Sequence, residues 1–130
     1  MYLLDTNTVI YFFKGLGQVA NQLLSHPHHQ IAIPAVVLYE LETGIAKSTQ
    51  PEKRRAQLDT LLLTIKILPF SRVEAKATAN LRATLERAGQ PLGPIDFLIA
   101  GTALAHQAIL VTHNTREFSR APGLLWEDWY

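Results

Sequence analysis

The sequence predicts a three-layer α/β sandwich, a short and mostly parallel sheet flanked by helices, built as a single domain of residues 1–130. Three observations predict it. The runs at 2–4, 31–33, 67–68 and 109–111 are continuously apolar rather than alternating, the pattern of strands buried on both faces. Segments with helical apolar spacing separate those runs, and strands alternating with helices imply a parallel sheet covered on each side. A hydrophobic content of 48% in 130 residues is enough for one core without covalent staples.

Each element follows from local pattern. The first apolar run ends in Asp5-Thr6-Asn7, where a strand gives way to a turn or helix start. Leu16, Val19, Ala20, Leu23 and Leu24 repeat with the spacing of an amphipathic helix, which His26-Pro27-His28-His29 interrupts. After the second strand, Pro34 opens a helix that runs to about Lys47. Thr49-Gln50-Pro51-Glu52 resembles a capping box with an early proline, starting a helix that buries Leu58, Leu61, Leu62 and Ile65. Ser71-Arg72-Val73-Glu74 is a second capping box, for a helix with Val73, Ala77, Leu81 and Leu85 on one face and Gly89 at its end. Gly93-Pro94 opens a further helix, buried through Ile95, Leu98, Ile99, Thr102 and Ala103. The fourth strand precedes a helical turn at 114–118, and Leu125 begins a last edge strand. No internal repeat, low-complexity tract or linker interrupts the chain.

Composition excludes several classes. There is no cysteine, hence no disulfide and no thiolate metal site. Met1-Tyr2-Leu3-Leu4-Asp5 has no basic segment and is not read as a signal peptide. No apolar stretch approaches the ~20 residues of a membrane helix. The expectation is a soluble, cytoplasmic protein with no membrane association. Net charge is +1, with Lys and Arg gathered at Lys53-Arg54-Arg55 and at Arg72, Lys76, Arg82 and Arg87. A patch matters more than a total for binding nucleic acid, and by themselves these cations read as solvated helix faces.

The chemistry is expected outside the carboxyl ends of the strands, where open parallel sheets place their crevice. Asp5 follows the first strand, Asn114 follows the fourth, Asp96 lies in the first turn after Gly93-Pro94, and Glu40 lies in the helix after the second strand. Oxygen ligands of this kind suit Mg²⁺ or Mn²⁺. Each residue also has a structural reading: Asp5 as a helix cap, Asp96 as a partner of a helix dipole, Asn114 and Glu117 as a capping pair, Glu40 as a solvated carboxylate. Their gathering at one end of the sheet favours a shared site. Residues two apart on a helix point to nearly opposite sides, so only one of Glu40 and Glu42 faces the crevice, and spacing does not select which.

A resemblance selects it. Asp5-Thr6-Asn7, Glu40-Leu41-Glu42-Thr43-Gly44, Pro94-Ile95-Asp96-Phe97-Leu98-Ile99-Ala100, Val111-Thr112-His113-Asn114 and Arg116-Glu117-Phe118 form an ordered set over nearly the whole chain. The set closely resembles the VapC toxins of the PIN-domain family. That resemblance implies a PIN-like sandwich and an endoribonuclease dependent on Mg²⁺ or Mn²⁺. It implies Asp5, Glu40 and Asp96 as the metal-holding acidic triad and Asn114 at a fourth position where the family uses Asp or Asn. Glu42 is left as a surface or supporting residue. It further implies a VapB-type antitoxin as partner, operator DNA bound only through the toxin–antitoxin complex, a homodimer, and tRNA, initiator tRNA included, as substrate class.

Two departures stand out. Val37 and Pro34 occupy places where many relatives carry Ser or Thr, so a supporting hydroxyl is missing there, and His113 stands where close relatives often have Asn. Arg82, Arg87 and His113 are candidate RNA contacts, with solvated or partly exposed surface positions as the alternative. His26, His28 and His29 read as a solvated loop, and Trp126 and Trp129 as packing near the last strand or an interface. Two rival functions share part of this pattern. A phosphatase using Asp5 as nucleophile would want a second Asp where Asn7 stands. A non-catalytic PIN-like module that only binds nucleic acid has no need to crowd three carboxylates together.

Overall fold

The computed structural model describes all of residues 1–130. Five strands, β1 (Tyr2–Leu4), β2 (Ile31–Pro34), β3 (Lys66–Leu68), β4 (Ile109–Val111) and β5 (Leu125–Glu127), form one sheet in the order β3-β2-β1-β4-β5. Every pairing is parallel, with Tyr2 opposite both Ile31 and Ile109, Ile33 opposite Ile67, and Leu110 opposite Trp126. Helices α1 (Thr6–Lys14), α2 (Val19–Leu24), α3 (Ala35–Lys47), α4 (Pro51–Leu62), α5 (Arg72–Arg87), α6 (Pro94–Ala105) and the single turn α7 (Thr115–Phe118) supply the connections. None is long and apolar enough to cross a membrane.

The strand order has a functional consequence. The chain builds outward from β1 through β2 to β3, then returns to place β4 on the other side of β1. Connections leaving β1 and β4 therefore diverge, and a crevice opens at their carboxyl ends. The central strands forming its floor are fully buried at Leu3, Leu4, Ile31, Ile33, Leu110 and Val111, as continuous apolar runs require.

Several local expectations shift. The residues from Thr6 form a full helix, α1, which Gly15 ends in the left-handed conformation with its N–H on Phe12 O. The next helix then starts only at Val19, and Leu16 lies outside it. The box at Thr49 does not form. Pro51 occupies the first helical position, so the cap falls on Gln50 and the Thr49–Glu52 pair is one residue out of phase. Ile65 is buried, but beyond the end of α4.

The box at Ser71 does form, and it turns the helix. Ser71 N and Oγ both donate to Glu74 Oε1 at 2.9 Å, while Glu74 Oε2 meets His106 Nε2 at 2.7 Å. The buried face of α5 is consequently Glu74, Thr78, Leu81 and Leu85, and Val73 is 62% exposed. Closeness of α5 to α6 enforces this choice. A Cβ on Gly101 would lie 2.6 Å from Thr78 Cα, so small side chains must face each other there.

Residues 128–130 fold back on the start of the chain. Gln18 N donates to the carbonyls of Trp129 and Tyr130, and buried Trp129 packs against Tyr2 and stacks on His26 with centroids 5.0 Å apart. Trp129 thus packs as its place in the chain suggested. His26 is part of that packing rather than of a solvated loop, while His28 and His29 stay exposed in a 3-10 turn.

Candidate active site

Asp5 leaves β1 with its N–H on Val111 O at 3.1 Å, so the seam between β1 and β4 fixes its backbone. Its extended conformation then makes it the N-cap of α1, with Oδ1 accepting from Thr8 N at 2.9 Å. Thr8 Oγ1 returns to Val111 O at 3.0 Å and locks the corner. The capping role and the crevice position are therefore compatible: one oxygen caps, and the residue also lines a cavity of about 150 Å³ with Thr6, Asn7, Glu40, Asp96, Ile99, Asn114 and Phe118.

Glu40 reaches that cavity from α3 and accepts the Thr6 hydroxyl through Oε1. Glu42 points away, paired with Arg55 Nη1 at 2.6 Å on a surface where both side chains are nearly half exposed. The fold thus separates two carboxylates whose spacing alone left them equivalent. Asp96 comes from the first turn of α6, where Pro94 sets the helix start.

Asn114 comes from the turn after β4. It occupies the N-cap position of α7, yet its side chain makes no capping hydrogen bond. The capping reading for Asn114 with Glu117 is thereby corrected: Asn114 N instead donates to Thr112 Oγ1 at 3.0 Å, and the amide is left beside the cavity.

Electrostatics set this cavity apart. Burial pushes the Asp5 carboxyl above its usual range, against the lowering effect of the Thr112 and Thr8 groups, and the Glu40 charge adds to the rise. Asp96 is raised by burial first, then by the charges of Asp5, Glu40 and Glu117. None of the ion pairs in the structure includes Asp5, Glu40 or Asp96. Three acids thus share one partly dry space without a counter-cation.

The donor set is all oxygen, the set a hard divalent ion takes, and the uncompensated charge is of the sign such an ion neutralises. No group of three acidic or histidine side chains already stands at ligand spacing. Mg²⁺ keeps several waters and does not need a complete protein cage, so the residues fit it.

Other sequence candidates lie elsewhere. Arg82 pairs with Glu86 at 3.1 Å and lies over the Phe97 ring at 5.5 Å, and neither it nor Arg87 lines the cavity. His113 turns to Asp128 and Tyr130 at the end of the chain. Conversely, Thr6, Thr8 and Thr112 act at the site with no role assigned to them from sequence, and Glu117, expected only as a capping partner, adds its charge to that felt by Asp96. Their only signal was adjacency to Asp5 and Asn114. Pro34 and Val37 are buried and bring no hydroxyl to the site.

A second cavity, of about 240 Å³, lies on the far side of Glu40 between α1, α3 and α4. Ile10, Phe13, Leu41, Ile45 and Leu58 make it apolar, with Lys14 and Arg54 also on its wall. Such a lining suits binding, and the chemistry belongs to the smaller polar space.

Comparison with known proteins agrees with this geometry. The PIN domain family matches residues 2–124. The chain is 38% identical over 128 residues to the tRNA(fMet)-specific endonuclease VapC of Shigella flexneri, covering 98% of this chain and 97% of the relative. It is 40% identical over 134 residues to ribonuclease VapC2 of Rickettsia felis, covering 99% and 98%. Among solved structures, VapBC2 from Rickettsia felis bound to a DNA fragment from its promoter superimposes with a TM-score of 0.93 at 37% identity, over 99% of this chain and 98% of that one.

Proposed function

This chain belongs to the PIN-domain family, among its VapC ribonucleases, and from that premise we propose that it is the toxin of a VapBC-type pair, an endoribonuclease that works with Mg²⁺ or Mn²⁺ held by Asp5, Glu40 and Asp96. One observation carries the reading: three carboxylates line a single cavity and no cation of the protein pairs with any of them. A bound divalent ion supplies two things there, a water of lowered pKa and compensation for charge on the phosphate.

The protein's own groups do the positioning. Thr6 holds Glu40, and Thr8 holds Asp5, so two of the three carboxylates are set before RNA arrives. Ile99 and Phe118, buried behind the polar lining, back the cavity with low-dielectric protein, which strengthens charge interactions inside it. Asn114 offers an amide rather than a fourth charge.

The proposed substrate class is tRNA, with initiator tRNA the first to try, supported by the tRNA(fMet)-specific relative. The proposed partner is a VapB-type antitoxin that covers the acidic cavity and places a cationic side chain against its carboxylates. The apolar cavity sharing Glu40 gives a partner segment a place to bind beside it. We propose that operator DNA is bound only through that complex, which the promoter-bound VapBC2 relative supports, and that the toxin is a homodimer.

Mapping RNA ends in cells after brief expression tests the reading. Discrete new ends should appear, vanish with Asp5→Asn or Asp96→Asn, and vanish in vitro with EDTA. Co-expression of the neighbouring small open reading frame should relieve toxicity and co-purify. Undiminished cleavage in EDTA would remove the metal, and turnover of a generic aryl phosphate without any RNA cleavage would favour the phosphatase reading instead.

A further inference from the structure

We propose that the stacked rings of His113 and Tyr130, with Tyr11 at their edge, seat one unpaired base of the RNA beside the acidic cavity. This rests on the ribonuclease reading and adds to it the residues that select the form of the substrate. The His113 and Tyr130 rings lie 4.3 Å apart at 23°, and Tyr11 meets His113 at 6.0 Å and Tyr130 at 4.9 Å, edge-on to both.

Position links the stack to the chemistry. Asn7 lines the acidic cavity, and Tyr11 follows it on the same face of α1 one turn later, about 6 Å along the axis. His113 immediately precedes Asn114, which lines the same cavity from the other side. The stack therefore lies outside the cavity wall, joined to it through Asn7 and Tyr11 on α1 and through Asn114 and His113 in the turn after β4. A nucleotide flanking the bond held among the carboxylates extends toward these rings when the strand leaves the cavity on this side.

The rings are fixed in advance. His113 Nδ1 meets Asp128 Oδ2 at 2.9 Å, Tyr130 N donates to Asp128 Oδ1 at 2.9 Å, and Tyr130 O accepts from Gln18 N at 3.0 Å. Rings already held lose little freedom when a ligand arrives. They are also open: the His113 side chain and Tyr130 are each 46% exposed.

The contrast with a second stack in the same molecule is informative. His26 on Trp129 has similar geometry, but Trp129 is buried, so that pair has no face to offer. Fastening residues 128–130 is already done by Trp129 and the backbone bonds to Gln18, and an exposed stack adds little to it. Aromatic platforms take any base by its π-face, and only unpaired bases present that face. The site accordingly favours loops and single-stranded ends over duplex.

The test uses the full chain and a short single-stranded RNA that it cleaves, with abasic nucleotides walked through the positions flanking the cut bond. One abasic position should raise KM about tenfold while kcat changes little. His113→Ala and Tyr130→Leu should raise KM for intact RNA similarly and lose the abasic penalty, while Tyr130→Phe should behave as wild type. 2-Aminopurine at that position should be quenched on binding wild type and less on binding Tyr130→Leu.

Wild type indifferent to abasic nucleotides at every flanking position overturns the proposal, whether or not the variants fold. So does an abasic penalty that persists in folded Tyr130→Leu. Variants that leave RNA cleavage unchanged but weaken the antitoxin complex would assign the stack to the protein partner and also overturn it. Failure of wild type to cut any RNA overturns this proposal together with the ribonuclease reading, whereas normal cutting without an abasic effect overturns this one alone.

Discussion

The hydroxyl of Thr6 donates to Glu40 across 34 positions of sequence, tying the first turn of α1 to the middle of α3. That bond orients the second acidic side chain close to the first. A long, flexible Glu side chain gains orientation from one fixed donor. Thr6→Val should therefore leave the fold intact and lower cleavage about tenfold, since an unanchored carboxylate spends less time in place. Thr6→Ser should restore most of the activity. Equal activity in Thr6→Val and wild type, measured on one RNA at saturating Mn²⁺, would mean that Glu40 needs no anchor.

Glu40 and Glu42 give a paired comparison within one helix. Glu40→Gln should abolish cleavage with the melting temperature unchanged or raised, because a repelling charge is removed from the cavity. Glu42→Gln breaks only the surface pair with Arg55 and should cost less than about 1 kcal/mol with activity retained. Denaturation and cleavage of both variants, measured side by side, would expose an inverted assignment.

Glu74 predicts an acid-side dependence of stability. The Ser71 backbone N–H, followed by further hydrogen bonds including those from the Ser71 hydroxyl and His106, holds its carboxyl at about 2, against an ordinary value of 4.5. A carboxyl depressed in the folded state binds fewer protons there than in the unfolded chain, so stability rises with pH through this window. The contribution is complete above about pH 4.5 and is lost as pH falls toward 2. Glu74→Gln should be less stable at neutral pH, and its stability should vary less with pH across that window. Denaturant melts at several acidic pH values would show parallel curves if the cap contributes nothing.

Asn114 separates charge from structure. Its side chain makes no cap bond, so Asn114→Ala should cost well under the ~1 kcal/mol usual for a lost cap. Asn114→Asp puts a fourth carboxylate on the cavity wall and should tighten Mn²⁺ binding, read by calorimetry, because ligand charge governs affinity at oxygen sites. A folded Asn114→Asp with unaltered Mn²⁺ affinity would put the residue beyond the ion's reach.

The sequence by itself determined the layered fold, because unbroken apolar runs such as 31–33 can only be buried on both faces, and helices must then cover them. It also determined the ends of several helices, at Pro94 and at Ser71 with Glu74, where the signals lie within a few residues of each other. Only the tertiary structure decided what depends on distant partners. The face of α5 turned from Val73 to Glu74 because His106 at the end of α6 and the close approach at Gly101 within it await it. Glu40 was separated from Glu42 by Thr6 on one side of α3 and Arg55 on the other, neither of which its own helix contains. Periodicity records which residues are apolar, and it carries no information about which buried or charged groups a helix will meet when it docks.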